Sequence, residues 1–298
     1  MPALPRRLLL CPICTEPLAL AGCALACGRG HRFDAARQGY INLITGKGSP
    51  FAGDTAEMVD AREQFLGSGH YGPLRTAVVA AALRHRPKPA VALDAGAGTG
   101  YYLRGLADAV PTVFPLALDV SKFALRRAAR RLPGGMSLVW DLWRPLPVAD
   151  GAVDVLLNVF APRNPDEFVR VLTPNGCLVV VTPRPGHLAG LEAVGPLLSV
   201  PAQKADDVLA VFDGVLVEAE RENLDYVMEL PAALARSALI MGPAARHARE
   251  SDVTAPAGGS VPVGVSARFT VQVLVRPGPT PSVMPPGTAG DPERRLYT

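Results

Sequence analysis

Apolar residues in the middle of the chain fall into short runs that alternate with stretches of helical periodicity. The runs predict strands at 91–95, 112–118, 137–140, 153–158 and 177–181, and the stretches between them predict helices at 99–110, 122–131 and 166–172. Regular alternation of strand and helix indicates a mostly parallel sheet with helices on both faces. Such sheets bind ligands beyond the carboxyl ends of their strands, where we therefore expect the chemistry of this protein.

The segments on either side of this block add further elements. Their pattern predicts helices at 54–66, 74–83, 187–191 and 232–241, and strands at 215–226 and 267–275. The two late strands bring the expected sheet to seven. The sequence therefore predicts an α/β fold with a seven-stranded, Rossmann-like sheet.

The chain divides by composition into four parts. Residues 1–48 are dense in Cys, Gly and Arg and lack an apolar period long enough to build a core, so we expect something other than hydrophobic burial to hold this module together. Residues 49–89 form a helical linker, and residues 90–276 form the α/β domain. Residues 277–298 are rich in Pro and Gly, which is typical of a disordered tail.

Composition indicates a globular protein with a small basic excess. Of 298 residues, 49% are apolar and 19% are charged, and the net charge of +3 does not by itself indicate a nucleic-acid partner. The basic residues of the first 50 positions outnumber the acidic ones: Arg6, Arg7, Arg29, Arg32, Arg37 and Lys47 against Glu16 and Asp34. A phosphate-binding surface and an ordinary solvated surface are both consistent with this excess.

We expect neither an export signal nor a membrane span in this sequence. The apolar run that follows Arg6 and Arg7 stops at Cys11 and Pro12, well short of a signal-peptide core. No apolar run approaches the roughly 20 residues that cross a bilayer. We therefore expect a cytoplasmic protein without a membrane partner.

Two tight pairs of potential zinc ligands lie in the N-terminal module. Cys11 and Cys14 form a CPIC motif, and Cys27 and His31 form a CGRGH motif. Four such ligands close a tetrahedral Zn²⁺ site, which is structural because no position remains for water. Bound zinc would supply the stability that the module lacks. Reduced core cysteines or a disulfide are the alternatives. The expected cytoplasmic location argues against the disulfide, and the paired spacing argues against a chance group of cysteines.

Two further cysteines have other expected roles. Cys23 lies between the two pairs and could replace Cys27, although Cys27 is better spaced relative to His31. Cys177 lies on a predicted buried strand, where packing is the more common role of a cysteine.

A glycine-rich turn follows the first predicted strand of the α/β domain. It reads LDAGAGTG and places Asp94 before Gly96 and Gly98. Glycines let the backbone approach a ligand closely and tolerate a positive φ. A dinucleotide fingerprint would need a third glycine at 101, where this chain has Tyr101, so the nicotinamide interpretation fails. An acid before the glycines instead suits S-adenosylmethionine (SAM), because its carboxylate meets the amino-acid end of that cofactor.

Two further acids end neighbouring predicted strands. Asp119 ends the second strand, where its carboxylate can accept hydrogen bonds from both ribose hydroxyls. Asp141 ends the third strand, where it can meet the adenine amino group or simply cap the loop. Both positions fit a SAM-binding sheet.

Together these motifs resemble the guanine-N1 methyltransferases of 23S ribosomal RNA, most closely the actinobacterial branch that confers resistance to tylosin-type macrolides. The resemblance spans residues 8–275 and rests on CPIC, CGRGH, FDAARQGYINL (33–43), GDTAEMVDAREQFLGSGHYGPL (53–74), LDAGAGTGYYL (93–103), LDVSKFALRRAARR (118–131), NVFAPRN (158–164), EFVRVLTPNG (167–176) and VVTPRPGHL (180–188). Glycine turns are common among methyltransferases, whereas the zinc module joined to GYINL and GHYxPL is specific to this family. An acid that often follows the His-Leu pair in the family is displaced here to Glu192.

The resemblance implies more than the residues alone indicate. It implies a SAM site that also uses Tyr71, Thr99, Gly100 and His187, a 23S rRNA partner, and a homodimer. The implied product is a methyl group on N1 of a guanine in an exit-tunnel hairpin, where it would obstruct a macrolide. Guanine 748 is the expected position, and the sequence does not distinguish it from a neighbouring guanine. Without the family, interdomain packing is an equal interpretation of Tyr71.

The loop after the fourth strand is the expected place of the target base. Guanine N1 lies on the Watson–Crick edge, so the base must come from an unpaired loop or be flipped out of a stack. Asn158 could hydrogen-bond the base edge and Phe160 could stack on its face, although a plain strand-to-helix turn is the alternative. No residue is predicted as a general base.

Two other functions remain open on sequence alone. One is a small-molecule SAM methyltransferase with a purely structural zinc module, against which the basic character of the module argues. The other is a noncatalytic RNA-binding protein, against which the intact Asp94, Gly96, Gly98 and Asp119 argue.

Overall fold

The computed structural model describes residues 3–46, 48–192, 194–195, 197, 200–201, 203–242 and 262–277. Most of the tail predicted to be disordered, 278–298, lies outside these residues. Within the described residues, no helix is long and apolar enough to cross a membrane.

The described residues form two sheets flanked by helices. The strands are β1 (Leu18–Ala21), β2 (Ala24–Cys27), β3 (Arg32–Asp34), β4 (Ile41–Asn42), β5 (Val91–Ala95), β6 (Phe114–Asp119), β7 (Met136–Val139), β8 (Val153–Val159), β9 (Leu172–Pro183), β10 (Val217–Leu230) and β11 (Val263–Val275). The helices are α1 (Ala56–Gly67), α2 (Gly72–His85), α3 (Tyr101–Ala109), α4 (Lys122–Arg131), α5 (Pro165–Val171), α6 (Lys204–Ala210) and α7 (Ala232–Ile240).

The large sheet has the strand order β10-β11-β9-β8-β5-β6-β7-β4. The strands from β9 to β4 pair in parallel, whereas β11 pairs antiparallel with both β9 and β10. The chain leaves β5 to form β6 and β7 on one side and returns to form β8 on the other. This reversal is the topological switch point at which a doubly wound sheet binds its ligand.

The predicted count of seven strands is wrong by one, because the described part of the sheet contains eight. The extra strand, β4, comes from the N-terminal module, and its Ile41 pairs with Leu138 of β7 in parallel. Pairing with β4 covers an otherwise open sheet edge, which is a common way to protect such an edge. Without β4, the remaining seven strands form the predicted α/β sheet.

The N-terminal module is anchored to the α/β domain by buried apolar side chains. Leu9 is fully buried and pairs with Val148 across an isolated bridge. Leu25 and Phe33 belong to the same hydrophobic cluster as the central strands. The module therefore has no separate core, as its sequence pattern predicts, but its scattered apolar residues are buried against the α/β domain, which that pattern does not reveal.

Two helical segments differ from the sequence pattern. The helix expected at 187–191 is a series of turns, since Leu188 has a φ of 67° and Gly190 a φ of 104°, which are incompatible with a right-handed helix. Helix α6 was not predicted. The other helices lie within a few residues of their predicted bounds, and the Thr55 and Ser121 side chains cap the start of α1 and α4.

Candidate functional site

Four side chains of the N-terminal module converge on one point. The ligand atoms of Cys11, Cys14, Cys27 and His31 all lie within 4.8 Å of one another. The Sγ atoms of Cys14 and Cys27 are 3.7 Å apart, and His31 Nδ1 lies 3.4 Å from Cys27 Sγ. Tetrahedral zinc with Zn–S bonds of about 2.3 Å places two sulfurs about 3.8 Å apart, so the spacing fits this ion.

The environment of Cys27 also favours a zinc ligand. Burial opposes ionisation of its thiol, but hydrogen bonds from the backbone N–H groups of His31 and Arg29 and contacts with the other ligands lower its pKa to about 7. Zinc binds the thiolate form of cysteine. Cys23 is exposed and lies outside the cluster, whereas Cys177 is buried in the α/β domain.

The glycine turn between β5 and α3 lies at the switch point. Gly96 has a φ of 90°, and a Cβ atom added to it would lie 2.3 Å from the Cβ of Ala161. Only glycine therefore fits, because any side chain would meet both strain and a clash. This contact also brings the loop after β8 directly against the glycine turn.

Asp94 is a buried carboxylate without a partner. Its side chain is 1% exposed, and neither carboxylate oxygen has a hydrogen-bond partner among the described residues. Burial, followed by the negative charge of Asp119, raises the pKa of Asp94 to about 8. A buried acceptor of this kind indicates a missing donor. The ammonium group of SAM is a cationic donor that fits this position.

Asp119 at the end of β6 braces the glycine turn. Its Oδ2 accepts a hydrogen bond of 2.8 Å from the Gly98 backbone N–H, and its Oδ1 accepts one of 2.7 Å from Ser121. Burial raises its pKa, and the two backbone hydrogen bonds partly oppose this rise. The contact of Asp119 with the ribose hydroxyls stays a prediction. Each carboxylate oxygen of Asp119 retains a second lone pair that could accept such a hydrogen bond.

The side chains of Asp141 and Thr99 form hydrogen bonds with other residues of the protein. Asp141 accepts hydrogen bonds from the Ser49 hydroxyl and from the Trp143 backbone N–H, as a loop cap does. Thr99 is buried, and its hydroxyl and carbonyl oxygens both accept from Arg131. Gly100 follows with a φ of 75° and begins α3. The assignment of these three residues to the cofactor stays a prediction.

Tyr71 and His187 meet although 116 positions separate them. The Tyr71 hydroxyl oxygen lies 3.1 Å from His187 Nε2, and His187 Nδ1 accepts a hydrogen bond from the Arg268 backbone N–H. Burial lowers the pKa of His187 to about 4, so the ring is neutral at pH 7. Because Nδ1 accepts, Nε2 carries the proton and donates it to Tyr71, whose own hydrogen remains available to another acceptor.

The two residues predicted to contact the target base have different exposures. Asn158 is fully buried, and its Nδ2 donates to the carbonyl oxygens of Ala95 and Pro162, so it fixes the loop after β8. Its Oδ1 has no partner among the described residues. Phe160 is 41% exposed and adopts a φ of 54°, a strained conformation for a bulky residue.

The ring of Phe160 packs near other aromatic rings. The ring of Phe160 lies 6.5 Å from that of His187 at an interplanar angle of 21°, and 5.7 Å from that of Phe269. Phe269 on β11 also packs edge-on against Tyr71. Sequence reasoning missed Phe269, because its place in a buried strand gives no signal that distinguishes it from core.

The class of the protein follows from this geometry. A switch-point glycine turn, the unpartnered buried carboxylate of Asp94 in β5 and the carboxylate of Asp119 at the end of β6 define a SAM-dependent methyltransferase with an added zinc ribbon. The family description "RlmA, N-terminal", a zinc ribbon, matches residues 9–47.

Comparison with known proteins then identifies the family. The chain is 45% identical over 282 residues to a putative 23S rRNA (guanine-N(1)-)-methyltransferase of Micromonospora griseorubida, covering 87% of this chain and 94% of that protein. It is 39% identical over 274 residues to the 23S rRNA (guanine(748)-N(1))-methyltransferase of Streptomyces fradiae, covering 89% and 96%. The chain belongs to the 23S rRNA guanine-N1 methyltransferase family. It is a SAM-dependent enzyme, and its zinc ribbon carries a Cys3His group that fits one zinc ion.

Proposed function

We propose that this enzyme methylates N1 of guanine 748 in 23S rRNA. The similarity to the Streptomyces fradiae enzyme supports this substrate. The geometric observation that carries the proposal is the close approach of Ala161 to Gly96, because it places the exposed Phe160 beside the cofactor turn. A planar base stacked on Phe160 would then lie next to the reacting methyl group.

Several side chains around the loop after β8 would position the base, each in a different way. Bound SAM supplies an electrophilic methyl group. Phe160 offers a stacking face, and Asn158 holds the loop in its strained shape through two hydrogen bonds. His187 donates to Tyr71 and backs the Phe160 ring. Orientation of this kind provides a large part of catalysis when the electrophile is already reactive.

The decisive experiment compares 23S rRNA from cells with and without the gene. Primer extension should stop at guanine 748 only when the gene is present, and mass spectrometry of the excised fragment should identify 1-methylguanosine. A catalytically impaired Phe160→Ala variant is the matched control. A methyl group at another nucleotide, or none, would contradict the proposal.

Macrolide resistance is the expected consequence. A methyl group on a base of the exit tunnel adds bulk where a tylosin-type macrolide would bind. Expression in a sensitive host should therefore raise the inhibitory concentration of tylosin, whereas the Phe160→Ala variant should not. The ribosomal substrate also supports a cytoplasmic location.

The basic residues of the zinc module support RNA binding unequally. Arg29 pairs with Glu16, and Arg32 pairs with Asp34, both at the protein surface. Arg37 is exposed and has no ion pair among the described residues. Of these three arginines, we therefore assign the main phosphate contact to Arg37, because the guanidinium groups of Arg29 and Arg32 are already partly neutralised.

The homodimer implied by the resemblance is part of the proposal. Its basis is the resemblance to the family. Light scattering of the purified protein should give twice the monomer mass of 31.3 kDa. A monomer mass at micromolar concentration would remove the dimer from the proposal.

A further inference from the structure

Two large aromatic side chains lie exposed at the carboxyl edge of the sheet. Phe51 is 49% exposed and Trp143 is 52% exposed, and their ring centroids are 6.1 Å apart. Among the described residues, the exposed large hydrophobic side chains include three aromatic ones, which are these two and Phe160. We refer to Phe51 and Trp143 together as the aromatic platform.

The backbone on both sides of the platform is fixed. The Ser49 hydroxyl donates a hydrogen bond of 2.8 Å to Asp141, and it accepts one of 3.1 Å from the Phe51 backbone N–H. Asp141 also accepts from the Trp143 backbone N–H at 3.1 Å. A single buried carboxylate thus ties the segment before Phe51 to the loop that carries Trp143. The two rings are held together without being buried.

The platform is linked to the loop that carries Phe160. The Asn164 side chain donates 2.9 Å to the carbonyl oxygen of Leu142, which joins the loop after β7 to the loop after β8. An added Cβ at Gly96 would lie within 3.8 Å of both the Leu142 and Ala161 side chains. The loop after β7 and the loop after β8 therefore meet at the glycine turn. Trp143 directly follows the contact residue Leu142, and Phe160 directly precedes the contact residue Ala161.

We propose that the aromatic platform stacks an unpaired nucleotide that neighbours the target guanine in the RNA loop. This inference rests on the proposed function. Single-stranded RNA is recognised chiefly by stacking of splayed bases on aromatic side chains. When the target guanine stacks on Phe160, the next nucleotide of the RNA would lie at the same edge of the sheet, where the platform is exposed.

Charge favours RNA over a protein partner as the occupant. Arg144 follows Trp143, and its side chain is 33% exposed. Its guanidinium group donates a hydrogen bond to the Gly48 carbonyl oxygen and lies 3.8 Å from Asp141, so a positive charge is held beside the platform. The segment before Phe51 continues from β4 and the zinc ribbon, which is the basic part of the chain. An RNA strand that contacts both the ribbon and the Phe160 loop would therefore pass along this segment.

The chain offers a direct optical test. Its two tryptophans are Trp140, which is 4% exposed, and Trp143, which is 52% exposed. Titration of the full-length protein with an RNA hairpin that contains the target guanine should quench the fluorescence of Trp143. The same titration of a Trp143→Phe variant gives the background from Trp140, and this variant should still bind the hairpin.

Alanine variants measure the contribution of each ring. Trp143→Ala and Phe51→Ala should each weaken hairpin binding and raise the KM for RNA about tenfold, the usual effect of losing one base stack. Phe51→Ala should leave the dissociation constant of SAM unchanged. Val227→Ala is the matched control, since Val227 is 65% exposed on β10 and should not affect RNA binding.

The outcomes separate this inference from the proposed function. Wild-type methylation of the hairpin with unchanged KM in both alanine variants would overturn the platform and leave the proposed function intact. Quenching and platform-dependent binding without guanine methylation would support the platform and overturn the proposed function. Quenching that follows protein concentration without RNA would show that a second copy covers the platform, which would overturn the inference.

Discussion

The Nε2 atom of His187 lies 3.1 Å from the hydroxyl oxygen of Tyr71 and joins the turn after β9 to the start of α2. The Arg268 backbone N–H fixes the opposite ring nitrogen of His187 as an acceptor. This arrangement requires a neutral imidazole. A buried imidazolium would have two N–H donors, and the one at Nδ1 would face another N–H rather than an acceptor.

The neutral His187 predicts a pH dependence of stability. Burial lowers its pKa from 6.5 to about 4, so between these values the unfolded chain binds more protons than the folded protein. The free energy of unfolding should therefore fall as the pH drops from 6.5 toward 4. Urea denaturation at pH 7 and pH 5 should show a smaller loss of stability in His187→Gln than in the wild type. An equal loss in both proteins would contradict this account.

Zinc binding predicts a stoichiometry that single cysteine variants can test. Metal analysis should find one zinc per chain in the wild type, and Cys14→Ser or the Cys11→Ser, Cys14→Ser double variant should lose it, because three or two ligands no longer close the tetrahedron. Cys23→Ser should retain a full equivalent, since Cys23 lies outside the cluster. Full retention in the double variant would disprove the ligand set.

Loss of zinc should affect the whole protein and not only the ribbon. Leu9 and Phe33 belong to the hydrophobic cluster of the central strands, so a disordered ribbon would expose part of that cluster.

Sequence reasoning found the ligands through their spacing, which is local. It missed the burial of Leu9, because the partner Val148 lies far along the chain and only the tertiary fold brings them together.

The same difference between local and distant order explains which elements could be predicted. The strand Val91–Ala95 and the helix Lys122–Arg131 have their predicted bounds, because an apolar run and a Ser121 cap define them locally. Strand β4 has two residues and exists only through its pairing with β7, so no period in the sequence reveals it. The proximity of Tyr71 to His187 likewise required the family resemblance.

Removal of the Asp119 carboxylate should weaken SAM binding. Asp119→Ala should cost about 1.5 to 3 kcal/mol, the range of a hydrogen bond to a charged group, because the variant loses the predicted ribose contact and the brace on Gly98. Calorimetric titration with SAM measures the change. Asp108→Ala is the control, since Asp108 pairs with Arg104 on the exposed side of α3. An unchanged dissociation constant in Asp119→Ala would remove Asp119 from the cofactor site.

The salt dependence of RNA binding should distinguish the arginines of the zinc module. The turn that carries Arg37 approaches α4, where a Cβ added to Gly39 would lie 3.5 Å from Ala129. Exposed Arg126 and Arg130 on the same helix add positive charge beside it. Because each phosphate contact releases counterions, Arg37→Gln should reduce the slope of log affinity against log salt by roughly 0.7 to 0.9.

The already paired arginines supply the matched control for this measurement. Arg29→Gln and Arg32→Gln should each change the slope by less, because Glu16 and Asp34 offset part of their charge. Affinity for SAM should stay the same in all three variants, since none of these side chains contacts the glycine turn. Equal slopes for Arg37→Gln and the wild type would show that the phosphate contact lies elsewhere. A larger change in Arg29→Gln would show that its ion pair with Glu16 opens when RNA binds.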